Sequence, residues 1–209
     1  MNKKIVLVIV SAIVLVSLFG VGAIGLAQED GPFGLGKLFQ QDRSGKVIAE
    51  VNGEKINQVQ LDRSKRMAEF QQSNQGTSDK KEPISEEKLL EQMIDYALVE
   101  QECRRLKIST TYETALAETR EDFATIQKTA EGTGAEAASA KQTVAFFEEF
   151  AKGMDLTVDE YFQQYAADAR RKSMDAIALK EWIDANAPQK SFEQYLSDLR
   201  DQANIQYYN

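Results

Sequence analysis

The sequence predicts a mainly α fold: a helical body with a small N-terminal hairpin that pairs with a C-terminal strand. Three observations carry this expectation. Val47–Asp62 reads as an alternating strand, an Asn52-Gly53 turn, a short return and a helix start. From Asn57 onward, apolar residues recur at helical spacing between capping signals. Three prolines and 43% hydrophobic residues suit a helical globular body rather than a disordered chain.

The hairpin comes first. Val47, Ala49 and Val51 alternate onto one face, and Asn-Gly tolerates the positive φ angles that a type I′ turn needs. Lys55-Ile56 returns to Asn57, which is placed to cap a helix, with Ile56 and Leu61 at staple spacing around it. Val59, Leu61, Met67 and Phe70 are the apolar members of that helix before a polar loop at 77–83.

Ser85 caps the next helix, where Glu86 and Glu87 suit the positive end of the dipole and Ile84 and Leu89 form a second staple. Leu89, Leu90, Met93, Ile94, Ala97 and Leu98 form a stripe wide enough to face a core, with Tyr96, Val99, Cys103 and Leu106 beside it. Thr110-Thr111-Tyr112-Glu113 has capping-box spacing and opens a helix through Leu116, Phe123 and Ile126. The Gly- and Ala-rich segment 129–139 reads as a loop or weak helix. Val144, Phe146, Phe147 and Phe150 come next, with Gly153 at the expected position of a left-handed cap. Thr157-Val158-Asp159-Glu160 is a capping box, stapled by Leu156 and Tyr161, for a long helix ending before Pro188. Ser191-Phe192-Glu193-Gln194 is another. Ile205-Gln206-Tyr207 alternates as a strand, whose simplest partner is Val47–Val51.

The N-terminus differs in kind. Lys3 and Lys4 precede the uncharged residues 5–27, about 34 Å as a helix against a bilayer core of about 30 Å. They read as a transmembrane anchor or as a signal peptide cleaved near Ala27, and the lysines hold the N-terminus inside. Either way the body is extracytoplasmic. Residues 28–46 read as a flexible tether, although Phe33, Leu35, Leu38 and Phe39 are apolar for one and suit contact with lipid or loose packing on the body. The expected organisation is 1–27 anchor or signal, 28–46 tether and 47–209 helical domain.

Composition narrows the chemistry. The net charge is −8, and the first 27 residues hold two lysines and no acid, so the body is more acidic still. That disfavours nucleic acid, whose affinity rests on Lys and Arg neutralising phosphates. The chain has no histidine and one cysteine, which excludes His-based catalysis, His metal sites, zinc-binding Cys clusters and an intrachain disulfide. Cys103 reads as a buried structural thiol. No phosphate loop, dinucleotide fingerprint or nucleophile elbow is present. The carboxylate pairs Glu86/Glu87, Glu148/Glu149 and Asp159/Glu160 fall at helix starts or on polar faces. No catalytic residue, cofactor or metal is expected.

Two motifs carry a resemblance. V-I-A-E-V-N-G-E-K-I-N-Q-V-Q-L-D, through Ala49, Val51, Asn52, Gly53, Ile56 and Leu61, resembles the opening of the SurA-like N-terminal chaperone domain shared by SurA and PrsA-type foldases. Asn57 stands where the family commonly has Ser or Thr, and Gln60 where an acid is usual. L-L-E-Q-M-I-D-Y-A-L-V-E-Q-E-C-R-R-L-K-I resembles the family's next helix through Leu89, Leu90, Ile94, Asp95, Leu98 and Ile108. The closing F-E-Q-Y-L-S-D-L-R-D-Q-A-N-I-Q-Y is similar to the last helix and strand of foldases. Members often insert a parvulin isomerase domain before that segment; here Asn186–Lys190 leave no room for one.

The resemblance implies an ATP-independent chaperone or foldase-like protein that holds unfolded or nascent exported polypeptides in an apolar groove. Phe146, Phe147, Phe150 and Met154 are the client-binding candidates, and the same residues also fit a core. Two other readings stand beside it: a membrane-anchored adaptor for one envelope partner, and a peptidyl-prolyl isomerase by family label.

Overall fold

The computed structural model describes residues 31–41, 45–74 and 85–208. The span expected at 5–27 lies outside them. Among the described residues no helix is long and apolar enough to cross a membrane. The elements run α1 (Pro32–Gln41), β1 (Val47–Val51), β2 (Glu54–Asn57), α2 (Gln58–Asn74), α3 (Glu86–Leu106), α4 (Tyr112–Ala130), α5 (Ala135–Gly153), α6 (Val158–Tyr161), a π-helical turn (Phe162–Ala166), α7 (Ala167–Asn186), α8 (Phe192–Gln202) and β3 (Ile205–Tyr207). The mainly α class with a small sheet is as expected. The described residues divide into two compact units, one of residues 45–68, 85–110 and 172–208, the other of 31–41, 69–74 and 111–171.

The first unit holds a three-stranded antiparallel sheet in the order β2-β1-β3. Asn52 (φ 51°) and Gly53 (φ 92°) both take positive φ between Val51 and Glu54, as a type I′ turn requires. The register shifts between Val47 and Ala49, a bulge that leaves Ala49 and Val51 facing inward with no exposure. β3 pairs with β1 through Val51↔Ile205 and Ala49↔Tyr207, so the two ends of the body close on one strand. Ala49, Val51 and Ile56 meet Ile94 and Leu98 of α3, with Leu196 and Leu199 of α8 against them. That core uses the stripe read from the sequence.

The caps explain where the helices begin. Ser85 accepts from the Lys88 N–H, and Thr157 and Ser191 form full capping boxes with Glu160 and Gln194. At α2 the Asn57 N–H donates to Gln60 Oε1 at 2.9 Å, while Ile56 and Leu61 are buried as a staple. The start of α4 lies one residue later than the Thr110–Glu113 spacing suggests: Thr111 is the cap and accepts from the Thr114 N–H. The Thr110 N–H is committed elsewhere, to Asp175 Oδ1 at 2.6 Å.

The second unit is built on the α4–α5 helical hairpin, joined by a turn at Glu131–Gly134, with α6 and the π turn packed on it. Segment 129–139, expected as loop or weak helix, is shared between the end of α4, this turn and the start of α5. Residues 32–41, expected as tether, form α1, which packs along α5. Pro32 occupies the first helical position, where its missing N–H costs nothing. Leu35 turns inward and is buried.

Candidate client-binding surface

α5 places Phe146 and Phe147 on the same side as Phe150, since residues three and four apart share a face of a helix. The structure puts all four candidates inside the unit: Phe146 is 5% exposed, Phe147 and Phe150 1%, and Met154 3%. Phe146 and Phe150 stack at 5.7 Å between centroids. Phe147 meets Phe123 of α4 and Phe162 of the π turn edge to face, at 5.7 and 5.9 Å. Phe150 meets Tyr161 edge to face at 5.3 Å. Edge-to-face contacts of this kind add about 0.5–1.5 kcal/mol beyond area burial. Burial pushes the Tyr161 hydroxyl up to about 12, so it stays neutral at physiological pH. These residues therefore form the core of their unit, and none of them lines an open groove. A face carrying three phenylalanines within five residues is too apolar to leave in water.

The remaining side of Phe150 is covered by α1. Phe39 contacts the Phe150 ring edge to face at 5.4 Å. Gly36 and Gly153 bring the two backbones together: a Cβ on Gly36 would lie 2.2 Å from the Phe150 carbonyl oxygen, and one on Gly153 2.1 Å from that of Phe33. The ammonium groups of Lys37 and Lys152 lie over the Phe33 ring, with Nζ 4.7 and 5.9 Å from its centre. Gly153 is consequently not the left-handed cap that its position suggests. It ends α5 in helical conformation, and Asp155 (φ 57°) takes the left-handed residue two positions on. A glycine after an apolar run serves a cap or a close approach equally well, and only the partner helix decides which.

Several polar groups in the other unit escaped sequence reasoning. Glu100 and Glu102 of α3 and Asp175 of α7 are buried. Glu102 accepts two hydrogen bonds from Arg105 and one from Tyr195, and Lys172 Nζ lies 3.9 Å from Glu100. Cys103 is fully buried and donates to the Asp175 carbonyl at 3.2 Å; burial, with Asp175 and the two glutamates nearby, pushes its thiol up to about 12. A thiol so placed is protonated and unreactive, as the structural reading of Cys103 requires. Among the described residues no group of three or more His, Cys, Asp or Glu is arranged to hold a metal. Tyr112, Ile177, Tyr207 and Tyr208 are the large hydrophobic side chains left exposed among those residues.

The family model described as SurA-like N-terminal domain matches residues 1–122, more than half of the chain. The chain belongs to the SurA-like N-terminal domain family. Its match spans the hairpin, α3 and the opening of α4, which include both motifs that carried the resemblance. Comparison with curated proteins and with solved structures gave no match. In this SurA-like chain only residues 187–191 separate α7 from α8, so no parvulin domain stands between them.

Proposed function

We propose that this SurA-like protein is an extracytoplasmic, ATP-independent chaperone or foldase-like protein that holds non-native exported polypeptides. Family membership is the observation that carries the reading. The apolar face of α5 supports it, because that face takes a short apolar helix of ten residues as its cover. Contact of this sort is non-directional and tolerant of sequence, which suits many clients. Residues 5–27 anchor the body at the membrane or direct its export before cleavage near Ala27. Phe150 is the candidate that client segments reach; Phe146, Phe147 and Met154 support the face from within. The holding step uses no cofactor and makes or breaks no covalent bond.

The test is dilution of a chemically denatured secreted enzyme into buffer with an equimolar amount of the full chain and no nucleotide. Light scattering falls well below that of the enzyme alone if the reading is right. Scattering unchanged at that ratio for several unrelated enzymes overturns it. A single partner recovered at fixed stoichiometry, with no effect on the enzymes, points to an adaptor instead.

A further inference from the structure

We infer that α1 is a resident, displaceable occupant of the client seat on α5, so that the protein carries its own competitor. The inference rests on the chaperone reading and adds to it where clients bind, what they look like and what restrains them. α1 has ten residues, two of them glycine, and Pro32 at its head. A helix this short is marginal in water and each internal glycine weakens it further, so its order comes from the seat it occupies. Its anchoring includes buried Leu35, Gly36 against Gly153, and Phe39 on Phe150.

The seat defines the chemistry of what replaces α1. The close backbone approach at Gly153 admits only glycine opposite it, and Phe150 accepts an aromatic ring three positions later, as Gly36 and Phe39 are spaced. A client segment is therefore a short apolar helix with glycine at the close approach, then an aromatic residue at the third position beyond it. Apparent affinity for such a segment falls by the fraction of molecules whose seat is vacant, so freeing a seat that is nine-tenths occupied tightens binding about tenfold.

The experiment uses a fluorescent peptide of sequence P-F-G-L-G-K-L-F-Q-Q and the full chain as wild type, Gly36→Leu and Leu35→Asp. Both substitutions lie on α1 and leave α5 unchanged; the first puts a side chain where 2.2 Å is available. Both variants bind the peptide about tenfold or more tightly than wild type, with near-ultraviolet circular dichroism retained. Equal or weaker binding by the variants overturns the inference. So does loss of the folded signal in both, because α1 is then an integral part of the core. Aggregation suppression, measured on the same samples, separates the two ideas. Tight peptide binding without suppression leaves the seat and removes the chaperone reading. Suppression by wild type with no gain of peptide binding leaves the reading and removes the seat.

Discussion

The hydroxyl of Tyr195 donates to Glu102 Oε1 at 2.5 Å, joining α8 to α3 across 93 positions of sequence. Arg105 donates to both oxygens of the same carboxylate, from Nε at 2.7 Å and Nη2 at 2.6 Å. Those bonds from Arg105 hold the Glu102 pKa below its ordinary value against the opposing effect of burial, and Tyr195 helps. The Arg200–Asp95 pair, at 2.5 Å, ties the same two helices together.

Glu102 makes stability depend on pH. Its pKa is lowered in the folded state, so its contribution is complete above the ordinary glutamate value of about 4.3 and is lost as pH falls through the lower folded value. Glu102→Gln costs about 1–3 kcal/mol at pH 7, since it removes the charge that Arg105 and Tyr195 bond. Urea midpoints of the two proteins differ most at pH 7 and converge below pH 4. A gap independent of pH contradicts this account.

The closure of the sheet is testable at single amides. The Tyr208 N–H donates to the Ile48 carbonyl at 2.9 Å and the Asn52 N–H to the Asn204 carbonyl at 2.9 Å. Hydrogen exchange at both amides is slowed well below the unprotected rate. Free exchange at Tyr208 shows that β3 does not pair with β1 in solution.

The two cores differ in what they lose on truncation. Phe147→Ala removes a ring in contact with Phe123, Phe146 and Phe162 and costs about 3–5 kcal/mol. Leu98→Ala, in the core beneath the sheet, costs about 2–5 kcal/mol. Denaturant titrations give both values. A loss under 1 kcal/mol at Phe147 shows that the aromatic cluster is not packed as described.

Much of the fold was legible because its signals are local. Asn52-Gly53, Ser85, Thr157–Glu160 and Ser191–Gln194 each determine a turn or cap within four residues. The β1–β3 pairing was legible from alternation at the two ends of the body. Features that depend on a distant partner were not. Gly153 looks like a cap until Gly36 is placed against it, and α1 reads as tether because two glycines hide the spacing of Leu35 and Phe39. Glu100 and Glu102 resemble a solvated helix face until distant Lys172 and Tyr195, with Arg105, are placed against them. The phase change at Phe162–Ala166 has no local signature either; one residue added to a turn rotates the next stretch of helix by about 100°. The Phe set was identified as important without its side being known, since core and groove draw on the same residues.

Prolyl isomerisation gives a separate prediction. With five residues between α7 and α8 and no parvulin domain there, the purified chain leaves the isomerisation of a proline-containing tetrapeptide at its uncatalysed rate, on the order of tens of seconds to minutes. A rate that rises in proportion to protein concentration contradicts it.

Direct binding is the decisive measurement for the chaperone reading. Fluorescence anisotropy of several unrelated, permanently unfolded secreted polypeptides, titrated with the full chain in the absence of nucleotide, reads the proposed activity without any refolding step. The account predicts saturable binding to most of them and mutual competition for one site. No binding to any of them, or tight binding to a single one that the others fail to displace, contradicts it.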